Sequence, residues 1–203
     1  AASPPDRHGY FSLGVSADYT SSFIGRGRIF LEVTDHMPRT FGRNQIHVSQ
    51  VVGWCRSDRP LVEVPPATPG DTDCRIAALV AERIPNGATI QTGIGAIPNA
   101  IMASLTDHKD LGIHTELVSD GVVDLMESGV VNGVRKRLNR TKAVGTFALG
   151  TERLHRFLHE TERDYPNATG ELSALLSQIG LAGKRIARLL SRAGLADVLG
   201  ASG

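Results

Sequence analysis

The stretch Leu111 to Leu125, LGIHTELVSDGVVDL, sets one carboxylate, Glu116, between a β-branched run and a small polar turn that opens an amphipathic segment. A carboxylate near a strand end is either a solvated or ion-paired group or a nucleophile, and residue type by itself leaves both readings open. Upstream, the turn Gly93-Ile94-Gly95 follows the strand-like ATIQTG. Two glycines let main chain approach a ligand closely, and N–H groups at the start of the next helix can receive an anionic oxygen; ordinary turn geometry uses the same residues. Asp120, Asp124 and Glu127 fall at helix-start spacing, where capping and dipole compensation account for them. His114 reads as a structural strand histidine. His8, His36, His47, His108, His155 and His159 share no metal-ligand spacing, so no metal is assigned. There is no G-x-S-x-G elbow and no P-loop.

The elements that must position these groups follow from punctuation and periodicity. GYFSLGVS and RIFLEVTD read as short strands with a weak helix-like segment at 17–23 between them, and NQIHVSQVVGW reads as a third strand. SDRPLVEVPPATPGD carries four prolines and reads as a linker, with a domain boundary at 65–70. Beyond it strand and helix alternate. Asp71 or Thr72 caps a helix with apolar Ile76, Leu79, Val80 and Ile84, which ends at Pro85-Asn86-Gly87. ATIQTG is a strand, and Pro98 suits the first turn of a helix to about Leu105. GIHTELVS is the next strand, Ser119 or Asp120 caps a helix closed by Gly129, and KAVGTFALG is a further strand. This grammar predicts an α/β fold with a parallel sheet covered by helices. From Leu172 the spacing predicts a long helix, with Lys184, Arg185, Arg188 and Arg192 on its solvated face.

Composition narrows the partners. The 203 residues, 41% of them hydrophobic, can bury a core, and a net charge of +1 gives no field that argues for nucleic acid or a membrane surface. No apolar run approaches the ~18 residues of a membrane span. Cys55 and Cys74 show no metal or redox spacing and read as reduced thiols, which with the lack of a signal-like start predicts a cytoplasmic protein.

Taken together, HGYFSLGVSADYT, HMPRT, IHVS, GATIQTGIGAIPNAI, DHKDLGIHTELVSDGVVDL and GVVNG, from His8 to about Gly150, resemble the acetyl-CoA hydrolase and CoA-transferase family. The resemblance is to the branch with 4-hydroxybutyrate and succinyl-CoA:acetate CoA-transferases. It implies an open parallel-sheet, NagB/RpiA-like domain with Glu116 as the nucleophile. By the same resemblance Gly93, Ile94, Gly95, Ala96 and Ile97 contact coenzyme A. The substrates would be an acyl-CoA and a small carboxylic acid, with no tightly bound cofactor, in a chain that could form a homo-oligomer. Residues 1–65 would then end a first domain and 71–150 begin a second. The chain is therefore expected to be a fragment, inactive by itself.

The tail, from Leu154, includes PNATGELSALLSQIGLAGKRIARLLSRAGLADVLG and resembles the amino-terminal segment of class 1 fructose-1,6-bisphosphatase. There TGELS lies in the AMP site, which makes Thr169, Gly170, Glu171, Leu172 and Ser173 its counterparts and 151–203 a helical tail. An AMP-binding or assembly segment is thus the second functional expectation.

Overall fold

The structure, a computed structural model, describes residues 1–159; the expected long helix and Thr169–Ser173 lie outside them. In the first part, β1 (Tyr10–Ser12) pairs antiparallel with β3 (Gln45–His47), and β2 (Ile29–Val33) pairs parallel with β4 (Val51–Arg56). The weak helix-like segment is a 3-10 turn, Tyr19–Phe23, opened by Asp18, whose carboxylate accepts from the Thr20 N–H at 2.8 Å. NQIHVSQVVGW is two strands rather than one. The His47 ring accepts from the Ser49 N–H and its backbone N–H donates to Gln50 Oε1, which forces a 3-10 turn, Val48–Gln50, between β3 and β4.

Residues 57–70 hold no regular element, as their prolines predict, but they are not loose. The Val64 N–H donates to the Gly150 carbonyl, and the Asn99 side chain donates to the Ala67 carbonyl. Helix α1 (Asp71–Ala81) then starts at Gly70, whose N–H donates to the Asp73 carboxylate at 2.9 Å, so Asp71 and Thr72 are helical residues and not the cap. It ends earlier than expected and buries Ala77 and Ala81, while Ile76, Leu79 and Val80 stay outside. Small side chains there let α1 lie along α2.

The rest is α/β, as the periodicity predicts: β5 (Thr89–Ile90), α2 (Ala96–Ala103), β6 (Gly112–Ile113), β7 (Leu117–Val118), α3 (Asp120–Glu127), β8 (Phe147–Ala148) and α4 (Glu152–Leu158). β5 pairs parallel with β6 and β7 with β8, and parallel bridges join Leu111 to Val131 and His114 to Val144. GIHTELVS is therefore one path broken at Glu116, and KAVGTFALG contributes only two ladder residues. The first part joins this sheet through an antiparallel bridge from Ser16 to Phe147, with the Asp18 N–H donating to the Thr146 carbonyl at 2.9 Å. The main core gathers Leu105, Leu111, Ile113, Val122, Leu125 and Leu154, all at most 1% exposed. Each contributes about 1.5–3 kcal/mol of burial, which is what fixes the strand path carrying Glu116 between its helices.

Candidate active site

Parallel pairing fixes which residues stand level across neighbouring strands. Thr89 pairs with Gly112 and Ile90 with Ile113. The ladder ends there, with the His114 N–H still donating to the Ile90 carbonyl at 3.0 Å. A side chain continues the pairing at Thr92 and Thr115. The buried Thr115 hydroxyl donates to the Thr92 carbonyl at 2.9 Å and accepts from the Thr92 N–H at 3.1 Å. It replaces the main-chain ladder where the strands end, and clamps the start of the glycine turn to the residue beside Glu116.

Glu116 is gripped by its backbone and open at its side chain. Its carbonyl accepts from the Thr146 N–H at 3.0 Å, the Phe147 N–H at 3.1 Å and the Thr146 hydroxyl at 2.7 Å. The Thr115 N–H donates to the Val144 carbonyl at 2.9 Å. With both neighbours tied down, the carboxylate projects as an exposed group, and among the described residues it takes part in no hydrogen bond or ion pair. Such a carboxylate has its lone pairs available for attack.

The glycine turn is shaped by Gly95, whose φ of 115° favours glycine and whose carbonyl accepts the first helical bond of α2, from the Asn99 N–H at 3.1 Å. Pro98 falls in the first turn of that helix, as expected. Gly93 is different. A Cβ built there would come no closer than 4.0 Å to any neighbour, the Pro98 ring, so packing within the described residues does not demand a glycine. Ile94 is 59% exposed, and Ala96 and Ile97 open α2.

The acidic residues after Glu116 serve the scaffold. Ser119 occupies the N-cap of α3 with no side-chain cap bond. Asp120, buried, instead accepts from the Thr151 N–H at 3.0 Å and the Thr151 hydroxyl at 2.6 Å, pinning the start of α4. Asp124 and Glu127 pair with Arg153. Gly129, with φ 79°, closes α3 as expected. Thr92, Thr115, Thr146 and Lys136 went unnoticed in the sequence because each acts across a long separation. The Lys136 ammonium, buried, donates to the Ile113 carbonyl at 2.7 Å and the Lys142 carbonyl at 2.5 Å.

Two cavities lie away from Glu116. One, of about 490 Å³, is bounded by His36, Leu61, Glu63, His155 and His159; the other, of about 510 Å³, lies between α2 and α3 beneath Pro66 and Pro69. No group of three or more His, Cys, Asp or Glu that could hold a metal occurs among the described residues, and no helix there is long and apolar enough to cross a membrane. Cys55 and Cys74 are free and exposed.

No family model matches the chain. Curated relatives do. It is 41% identical over 187 residues to the succinyl-CoA:cyclohexane-1-carboxylate CoA transferase of Geobacter metallireducens, covering 86% of this chain and 42% of that protein. It is 43% identical over 158 residues to the 4-hydroxybutyrate coenzyme A transferase of Clostridium kluyveri, covering 77% of this chain and 37% of that protein. These relatives are CoA-transferases. Among solved structures, RipA from Yersinia pestis superposes with a TM-score of 0.78 at 39% identity, over 83% of this chain and 39% of that one. The 4-hydroxybutyrate CoA-transferase of Porphyromonas gingivalis gives 0.76 at 37% identity, over 83% of this chain and 42% of that one. The chain thus spans less than half the length of the CoA-transferases it matches, and over that span it shares their α/β fold.

Proposed function

We propose that the protein is an acyl-CoA:carboxylate CoA-transferase that works through a glutamyl-CoA thioester on Glu116, with the turn Gly93–Ile97 receiving coenzyme A. The observation that supports this is the Thr92–Thr115 clamp, which ties the start of the glycine turn to the residue next to Glu116, whose carboxylate has no partner among the described residues. A carboxylate oxygen of Glu116 attacks the thioester carbonyl, the carbon–sulfur bond breaks, and the thiolate leaves behind a mixed acyl-glutamyl anhydride. The thiolate then attacks the glutamyl carbonyl, the anhydride C–O bond breaks, and the acid departs as its carboxylate. The product is a glutamyl thioester. A second carboxylate reverses both steps and leaves carrying the CoA.

Glutamate suits this exchange because acyl-CoA and glutamyl-CoA are both thioesters of carboxylic acids, so the bond broken and the bond finally formed are alike, whereas serine or cysteine would take the acyl group and could not carry the CoA. Main-chain N–H groups at the start of α2 are suited to an oxyanion or to the ligand's anionic oxygens. Remote contacts to the nucleotide end of CoA would orient the thioester. Where water reaches the acyl intermediate, the same steps end in hydrolysis, so acyl-CoA hydrolase activity is the side reaction of this site.

The test is isotope exchange. Labelled acetate should enter acetyl-CoA at the native-length protein with no third substrate present, as ping-pong transfer requires, and Glu116→Gln should abolish that exchange without unfolding the protein. Exchange that persists in E116Q would remove Glu116 from the mechanism.

A further inference from the structure

The transfer steps leave unused a polar pair two residues before Glu116. Burial alternates along both strands: Ile113, Thr115 and Leu117 are buried while His114 is half-buried and Glu116 exposed, and across from them Thr89, Gln91 and Gly93 are the open positions. A Cβ built on Gly112 would fall 3.1 Å from Thr89 Oγ1 and on the stem of Lys136, so Thr89, Gly112 and that stem share one face of the pair. Two residues on, between the Ile90–Ile113 pair and the Thr92–Thr115 clamp, the same face carries Gln91 and His114, with Glu116 two residues beyond His114 along the chain. Neither the Gln91 amide nor the His114 imidazole has a hydrogen-bond partner among the described residues. Two uncommitted N–H donors therefore stand side by side across the strands, next to the nucleophile.

We propose that Gln91 and His114 form the acyl-oxygen site of the protein, donating to a carboxylate or thioester oxygen of the acid being exchanged while Glu116 attacks it. This rests on the transferase reading and adds to it which residues hold the acid. The chemistry favours neutral donors. The exchanged group alternates between an anionic carboxylate and an uncharged acyl carbonyl, and a fixed cation would bind the first far more tightly than the second. An imidazolium would also surrender a proton to the leaving thiolate. The surroundings disfavour charge on the ring: burial first, and the Lys136 ammonium second, hold the His114 imidazole below its ordinary range.

The test is NMR of the full chain with ¹⁵N-labelled histidine, glutamine and glycine, using acetate and coenzyme A as probes. Coenzyme A should shift the Gly93 and Gly95 amides, and acetate should then shift the His114 ring and Gln91 amide saturably. His114→Ala should weaken acetate about tenfold or more, as expected for a hydrogen bond to a charged group, and His114→Gln should restore part of it with the coenzyme A shifts unchanged. If coenzyme A moves the glycine amides but saturating acetate leaves His114 and Gln91 unmoved in the unsubstituted protein, the acyl-oxygen site is refuted and the transferase reading stands. If coenzyme A leaves the glycine amides unmoved, the transferase reading falls and takes this site with it.

Discussion

Thr115→Val probes the geometry of the site most sharply, because valine keeps the shape of threonine and deletes only the clamp. The Thr115 side chain is 1% exposed, and its hydroxyl makes two bonds to the Thr92 main chain, at 2.9 and 3.1 Å. Each hydrogen bond is worth about 0.5–1.5 kcal/mol net, so losing both costs about 1–3 kcal/mol, and since Thr92 is only half-buried water offsets part of that. We expect about 2 kcal/mol, which for a domain of this size lowers Tm by about 4–8 °C. Urea unfolding gives the free energy, and hydrogen exchange gives the location: the Thr92 amide should lose protection in T115V and keep it in Thr115→Ser. An unfolding free energy within about 0.5 kcal/mol of the parent, with Thr92 equally protected in T115V, would refute the clamp and with it the tie between the glycine turn and the residue beside Glu116.

The two glycines of the turn should separate structure from binding. Gly95→Ala places a side chain at φ 115° and should cost about 1–3 kcal/mol in denaturant unfolding, whereas Gly93→Ala meets nothing within 4.0 Å and should leave stability unchanged while weakening coenzyme A binding measured by calorimetry. The docking of α4 should depend on pH. Burial holds the His155 imidazole below its ordinary 6.5, against the opposing pull of Glu63, Asp120 and Glu152, so the folded state binds fewer protons than the unfolded one. Stability from this group is present above pH 6.5 and is lost as pH falls below it toward the depressed folded value. His155→Gln should flatten that part of the pH–Tm curve, and an unchanged slope would contradict the assignment.

What the sequence revealed was what local chemistry dictates. Gly129 at the end of α3, Pro98 in the first turn of α2 and the turn at Gly95 were legible because each is fixed by the residue's own backbone preferences. The broken strand at Glu116 was not, since the break comes from Thr115 reaching Thr92 and Thr146 reaching the Glu116 carbonyl, 23 and 30 residues away. Asp120 looked like a cap for the same reason: its partner, Thr151, is 31 residues downstream. The apolar periodicity of α1 marked a helix correctly and its packed face wrongly, because Ala77 and Ala81 allow an approach that Ile76 and Leu79 would block. Glu116 is singled out by the pattern around it; nothing in a lone glutamate announces that its neighbours among the described residues leave it unpaired.

The central claim is that Glu116 carries coenzyme A between two acids. Incubating the native-length protein with acetyl-CoA, reducing with borohydride and mapping peptides by mass spectrometry tests it directly. The account predicts that Glu116, and no other carboxylate, is converted to the alcohol, and that the modification disappears when free acetate is added in excess before reduction. Reduction at a different carboxylate, with Glu116 intact in protein that turns over acetyl-CoA, would contradict it.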